Sequence, residues 1–278
     1  MNLLTSALET QIERKVLVPA LRGEFELATI NIAEALGVLY DNIPENKRIS
    51  YGRVHTIKGL AKHLYVCLNA QNASIFEIGS NLFAHSENVW STGVALGLLA
   101  DSGIADYPPV LPYFESAASS QDWELREFAQ MFFRRLVKAH PAEMQAYLLR
   151  LVKSEDPNLR RFVSETLRPV QENKWFYKDP EYSLTVLRHL FRERAPYPRT
   201  SVGNNLSDLA RRLPELVYDL VEELVSSEDK NSYWIAYRAC RNLVKKEPVR
   251  VMDLLGVDDY RYKKAVYRRE DFEADQEI

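Results

Sequence analysis

Two carboxylates, Glu127 and Asp208, stand in sequence surroundings suited to chemistry. Trp123 and Glu127 lie four apart in Asp122-Trp-Glu-Leu-Arg-Glu127, so on a helix they project from one face. A carboxylate beside an indole in a groove stabilises a developing cation, through the anion's field and through the ring's cation–π attraction. The plainer alternative is a solvated face with Trp123 packed between neighbouring helices. Asp208 falls one turn after Asn204 in Val202-Gly-Asn-Asn-Leu-Ser-Asp208. Gly203 weakens a helix by about 1 kcal/mol relative to Ala, and it permits close helix packing or close approach of a ligand. Asn204, Asn205 and Asp208 also suit hydrogen bonds between helices, because buried polar groups need partners.

Cations recur around the same phrases: Arg160, Arg161, Arg168, Lys174, Arg199, Arg238 and Arg241. Arginines together with helix N-termini bind phosphates well. Ser201 and Asn205 join them as candidate polar contacts to phosphate. The alternative is an ordinary scatter of bases over a surface. The loop Gln171-Glu-Asn-Lys-Trp-Phe-Tyr-Lys-Asp179 is polar and aromatic, the composition of a binding loop. The sequence has no Gly-rich phosphate loop, no His-x-x-x-His pair, no clustered cysteines and no Gly-x-Ser-x-Gly. Neither a metal site nor a cofactor is expected.

The elements that must position these residues repeat. Aligning the chain on Leu125, Leu159, Pro198 and Ile235 gives separations of 34, 39 and 37 residues. That irregular period, without an alternating strand pattern, predicts stacked helical pairs of HEAT type: an all-α superhelix, or solenoid, with a concave face. Glu127 then aligns with Arg161, Thr200 and Tyr237 along one surface. Second helices are expected from Pro141, Pro180 and Pro214, since a helix's first turn does not need the N–H that proline lacks. Earlier helices are read at residues 1–22, 25–40, 49–69, 75–86 and 89–100. One domain is expected over residues 1–256, followed by a charged tail, 257–278, that is partly disordered.

Net charge is −3, which hides an asymmetry. Residues 1–120 carry 8 Lys/Arg against 12 Asp/Glu, residues 121–269 carry 28 against 22, and residues 270–278 carry 5 acids and no base. Positive charge is therefore concentrated in the repeats. Two cysteines, Cys67 and Cys240, each inside an apolar helical pattern, suit buried thiols in a cytoplasmic chain. No run reaches the ~18 apolar residues of a membrane span.

Three phrases carry a family resemblance: Asp122-Trp-Glu-Leu-Arg-Glu127, Asn158-Leu-Arg-Arg-Phe-Val-Ser-Glu-Thr-Leu-Arg-Pro169 and Ser201-Val-Gly-Asn-Asn-Leu-Ser-Asp208. In order and at this spacing they resemble the HEAT-like-repeat alkylpurine DNA glycosylases of the AlkC/AlkD superfamily, more closely the AlkC branch. The likeness covers roughly residues 90–250. It implies a concave face holding double-stranded, alkylated DNA, with acidic residues at Glu127 and Asp208. A monomeric, cytoplasmic bacterial protein, associated with the nucleoid while acting, is expected. Trp123, Trp175 and Asn204 are the candidates for contact with the lesion. The family's Arg-Pro is commonly followed by Trp; here Val170 follows, and Trp175 is the nearest aromatic.

The chemistry follows from the substrate. Alkylation at N3 or N7 makes a purine cationic and a good leaving group, so a strong general acid is less necessary. The sugar gains oxocarbenium character, which a carboxylate stabilises while orienting water. The leading expectation is thus a monofunctional DNA glycosylase for N-alkylated bases. A non-catalytic HEAT-like protein binding damaged or branched DNA, which Val170 favours, and a protein-interaction scaffold are the alternatives.

Overall fold

The computed structural model describes residues 3–48 and 52–273, so the expected helix starts at residues 1–2 and 49–51, and the last five residues of the tail, lie outside it. Helices dominate, as the period predicts. The chain packs as two compact units, Met1–Pro141 and Ala142–Ile278.

The first unit contains α1 (Ser6–Ile12), α2 (Val18–Leu21), α3 (Phe25–Asp41), α4 (Arg53–Ala70), α5 (Ile75–His85), α6 (Val89–Ser102), α7 (Leu111–Ala118) and α8 (Trp123–Ala139). The single helix expected over residues 1–22 is instead α1 and α2 joined by a π-helical segment, Glu13–Leu17. Pro19 explains the irregularity, because it offers no N–H to the carbonyl of Lys15 one turn back. The Asn31 side chain donates to that carbonyl instead, at 2.8 Å. Alternate helices lie side by side, α4 against α6 and α6 against α8. Phe128 and Phe132 of α8 are buried against α6, and Phe133 against Phe114 of α7. Each such ring contributes about 1.5–3 kcal/mol by leaving water.

The second unit contains α9 (Pro141–Leu151, which begins at the boundary), α10 (Pro157–Thr166), α11 (Pro180–Leu187), α12 (Pro196–Leu209), α13 (Pro214–Ser226), α14 (Lys230–Ala239) and α15 (Pro248–Leu255). The expected proline starts at 141, 180 and 214 are all present. Here α10 packs on α12 and α12 on α14, so successive repeats stack through their first helices.

The repeat is written most clearly in its caps. Asp122, Asp156 and Asp229 each accept a hydrogen bond from the backbone N–H two residues on, at 2.8–3.0 Å. Each aspartate's own N–H donates to a serine two residues earlier, Ser120, Ser154 or Ser227. This Ser-x-Asp device satisfies donors that a helix start leaves open. At α12 the caps differ: Ala195 precedes the helix, and Glu193 accepts from the Ala195 N–H at 2.7 Å.

Helix starts at 123, 157, 196 and 230 put Leu125, Leu159 and Pro198 in the third position, but Ile235 in the sixth. The fourth anchor is therefore three residues late. By helix position the counterpart of Glu127, Arg161 and Thr200 is Trp234, not Tyr237.

The first half of the tail forms a hairpin. Strands β1 (Asp259–Tyr262) and β2 (Ala265–Arg268) pair antiparallel, followed by α16 (Glu270–Glu273). Tyr260 explains why this charged segment is ordered. Its ring is fully buried, stacks on Tyr237 at 4.4 Å between centroids and donates its hydroxyl to the Tyr237 carbonyl at 2.8 Å. The Tyr237 hydroxyl in turn accepts from the Arg261 N–H at 2.7 Å.

Candidate nucleic-acid interface

In the second unit, α10, α12 and α14 present one continuous row of arginines, carboxylates and aromatic rings. Helical spacing sets it up: 161, 165 and 168 on α10 and its end, 197, 201, 204 and 208 on α12, and 234, 238 and 241 on α14 and its end. Asp208 is buried and lies between neighbouring helices. Its Oδ2 accepts from Arg168 Nη2 at 2.5 Å and Nε at 3.1 Å. Its Oδ1 accepts from Arg241 Nη2 at 3.3 Å, and Arg211 Nη2 stands 3.5 Å away.

Glu165, which sequence reasoning left out of the candidate site, is the second buried carboxylate of this face. It accepts from Arg168 Nη1 at 3.0 Å and from Ser201 Oγ at 2.5 Å, and Arg161 lies 3.8 Å away. Burial opposes the charge on Arg168, yet Glu165 and Asp208 together hold its guanidinium above the ordinary arginine value. The available signal for Glu165 was its spacing, four after Arg161 and three before Arg168.

Asn204 does not stand free for a lesion. Its Oδ1 accepts from Arg238 Nε and Arg241 Nη1, both at 2.8 Å. Gly203 makes this contact possible, since a Cβ there would lie 2.9 Å from the Arg238 Cβ. Arg238 and Arg241 also face the Tyr262 ring at 5.9 and 5.8 Å, and Arg241 donates to its hydroxyl at 3.3 Å. Burial tends to raise the Tyr262 phenol, but the hydrogen bond from Arg241, with Arg238 and Lys263 nearby, brings it below its ordinary value. Arg238 itself is lowered, first by burial and then by Arg241. Arg161 lies over Tyr197 at 4.4 Å, and Arg199 over Trp234 at 4.7 Å.

The remaining candidates are dispersed. Arg160 clasps Glu193, at 2.6 and 3.0 Å, and donates to the Ser154 and Glu155 carbonyls. Arg126 makes the same carbonyl contacts at the start of α8, to Ser120 and Gln121, so this arginine belongs to the repeat's architecture. Asn205 is fully buried and donates to the Ser164 carbonyl at 2.9 Å, at the seam between α10 and α12. Arg199 donates to Asn231 at 2.6 Å.

Trp175 packs against Phe176 and Tyr182, and its indole N–H is buried without a hydrogen-bond partner. Tyr177, two residues on, is the aromatic of that loop that reaches Asp208: its hydroxyl donates to the Asp208 carbonyl at 3.3 Å. Lys174 is exposed in the same loop. In the first unit Trp123 is 63 % exposed at the first turn of α8, and Glu127 accepts from Gln130.

Four guanidinium groups, on Arg161, Arg168, Arg211 and Arg241, thus surround two carboxylates, Glu165 and Asp208, and a fifth, on Arg238, holds the adjoining Asn204. The face carries net positive charge and planar partners for stacking, the chemistry of a surface for a polyanion with flat rings.

Comparison with solved structures bears on the fold. The Pseudomonas fluorescens alkylpurine DNA glycosylase AlkC, bound to DNA containing an abasic site analog, superposes with a TM-score of 0.59 at 18 % identity, over 92 % of this chain and 70 % of AlkC. AlkD2 from Streptococcus mutans gives 0.58 at 18 % identity, over 76 % of this chain and 98 % of AlkD2. This is the AlkC/AlkD fold. The two scores are nearly equal, so the likeness favours neither branch. By sequence, the chain is 28 % identical over 123 residues to YhaZ of Bacillus subtilis (strain 168), an uncharacterized protein. That match covers 42 % of this chain and 34 % of YhaZ, about a third of the relative's length. No family model matches the sequence. Among the described residues no helix is long and apolar enough to cross a membrane.

Proposed function

We propose that this chain is a DNA glycosylase that removes cationic, N-alkylated bases by hydrolysing the N-glycosidic bond. The observation that carries the proposal is Asp208, a buried carboxylate inside an arginine- and tyrosine-lined face on α12. The fold shared with AlkC supports the same reading. Arg211, Arg238 and Arg241 engage backbone phosphates of duplex DNA. Each phosphate that takes a guanidinium loosens one of the pairs now holding Asp208 or Asn204, and the carboxylate's field is then less offset. A sugar passing through an oxocarbenium-like state meets that field, and water attacks it from the carboxylate's side. The cationic base leaves without a strong acid. Glu127 is the second carboxylate proposed for this chemistry, and the exposed Trp123 ring, four residues earlier, offers a face for a cationic base.

The deciding experiment incubates the protein with methylated duplex DNA and measures free methylated bases. Release of 3-methyladenine or 7-methylguanine supports the proposal. Binding without release supports the alternative, a non-catalytic DNA-binding protein. That alternative is favoured by Val170 and by the dense arginine pairing of Asp208.

A further inference from the structure

The first unit holds its own cluster of reactive side chains. Glu13 opens the π-helical segment, and His63 and Cys67 lie four apart on α4, so one face of that helix presents both. Cys67 Sγ stands 3.9 Å from Glu13 Oε1 and 3.7 Å from His63 Nε2. All three ligand atoms lie within 4.8 Å of one another, and no other such trio of His, Cys, Asp or Glu occurs among the described residues.

Bond lengths decide what these separations mean. With Zn–S of about 2.3 Å and Zn–N or Zn–O of about 2.0–2.1 Å, the edges of a tetrahedron run to roughly 3.5 Å. Both measured separations to Cys67 exceed that by a few tenths of an ångström, within reach of a side-chain adjustment. The π-helical segment that Pro19 imposes starts at Glu13 and packs on α4, which carries His63 and Cys67.

We propose that Glu13, His63 and Cys67 bind a divalent transition ion of the zinc class, tying the N-terminal helical segment to α4 and leaving a fourth position for water. A thiolate, an imidazole and a carboxylate together suit Zn2+ better than Mg2+ or Ca2+, which take oxygen ligands. Glu13 is exposed, which gives the ion a path in. In the metal-free chain the thiol donates towards Glu13; burial, then Glu13 and Glu9, raise its pKa. On binding, the S–H bond breaks, an S–Zn bond forms and the proton passes to water.

The test uses the full chain, reduced and stripped of metal with a chelator, then titrated with Zn2+. Alkylation of Cys67 by iodoacetamide is the readout. Cys240 is silent in it, being buried with its thiol pushed up to about 12 by burial. One Zn2+ should bind per chain and protect Cys67. His63→Gln and Glu13→Gln should each weaken protection by about 100-fold in Zn2+ concentration, the upper end of what losing even an outer-shell partner costs. The Co2+ form should show thiolate-to-metal charge-transfer absorption, absent in Cys67→Ser. Two results would overturn the proposal. One is alkylation of the parent protein indifferent to Zn2+. The other is protection undiminished in His63→Gln and Glu13→Gln, which would mean adventitious binding by the thiol alone. If one variant fails to fold by circular dichroism, the other and the cobalt spectrum decide.

Discussion

Replacing Asp208 by Asn separates a structural carboxylate from a reactive one. The substitution keeps shape and deletes one negative charge from between Arg168, Arg241 and Arg211. Orphaning a buried charge typically costs 3–5 kcal/mol. Here Glu165 still accepts from Arg168 Nη1, and Arg211 is largely exposed, so the loss should fall near the low end, about 3 kcal/mol. For a chain of this size that lowers Tm by roughly 6–12 °C, at 2–4 °C per kcal/mol. Function should move in two opposite directions. Removing an anion from a cationic face leaves DNA affinity equal or higher. Removing the charge that stabilises the oxocarbenium slows single-turnover excision at saturating protein by about 100–1000-fold, taking oxyanion-hole losses as the scale. The assay is single-turnover release of methylated adenine, run well below the variant's Tm and paired with DNA binding by anisotropy. An unchanged rate in Asp208→Asn would refute the role. So would a rate that falls only in step with DNA binding, since an interaction used solely in the transition state leaves binding alone.

Glu127→Gln should slow the same single-turnover rate while sparing Tm and DNA affinity; a parental rate would make Glu127 a surface residue. DNA affinity should depend on salt through the arginine face: engagement of four to six phosphates gives log K falling with log salt at a slope of roughly −4 to −5, and salt-independent binding would refute it. Gly203→Ala should destabilise despite the helix preference for Ala, because the new Cβ meets the Arg238 Cβ; a net loss of about 1–2 kcal/mol in urea unfolding is expected from overpacking, and a gain would show that α14 gives way freely. Glu193 gives a pH dependence. Burial would raise its carboxyl, but Arg160 and the Ala195 N–H bring it below the ordinary value, so its stabilisation is present above about pH 4.3 and is lost as pH falls through the folded-state value. Urea unfolding across pH 3–6 should therefore be flatter in Glu193→Gln than in the parent.

How much of this was legible in the sequence depends on the range of the interaction involved. Most of the repeat helices were, since proline at a first turn and the apolar stripe are local signals, and α9, α11 and α13 begin at the prolines that announced them; α7 and α15 were not read, although each also has a proline in its first turn. The Ser-x-Asp caps at 120–122, 154–156 and 227–229 are local too, and they give better register than the apolar anchors that put Ile235 three residues late. The ordered hairpin was not legible, because what holds it is Tyr260 reaching back to Tyr237. The division into two units likewise has no marker in composition near residue 141.

The site divides along the same line. Residue type and spacing nominated Asp208, Asn204, Arg168, Arg238 and Arg241, and the structure gathers the three arginines around that one carboxylate and that one amide. Type and spacing also nominated Arg160, Asn205 and Trp175, and these serve the repeat's own packing. Nothing local distinguishes an arginine that closes a helix start from one that reaches across the face; the difference lies in its acceptors. Arg160 spends its N–H groups on two backbone carbonyls and Glu193. Arg238 and Arg241 share the Asn204 oxygen, a neutral acceptor that an anion outcompetes, because hydrogen bonds to charged oxygens are roughly twice as strong. The same reasoning singles out Asp208 from Glu165. Glu165 is held by a serine and by arginines that begin and end its own helix, whereas Asp208 is held mainly from α10 and α14. A phosphate that draws Arg241 away therefore changes the field at Asp208 and leaves the partners of Glu165 in place.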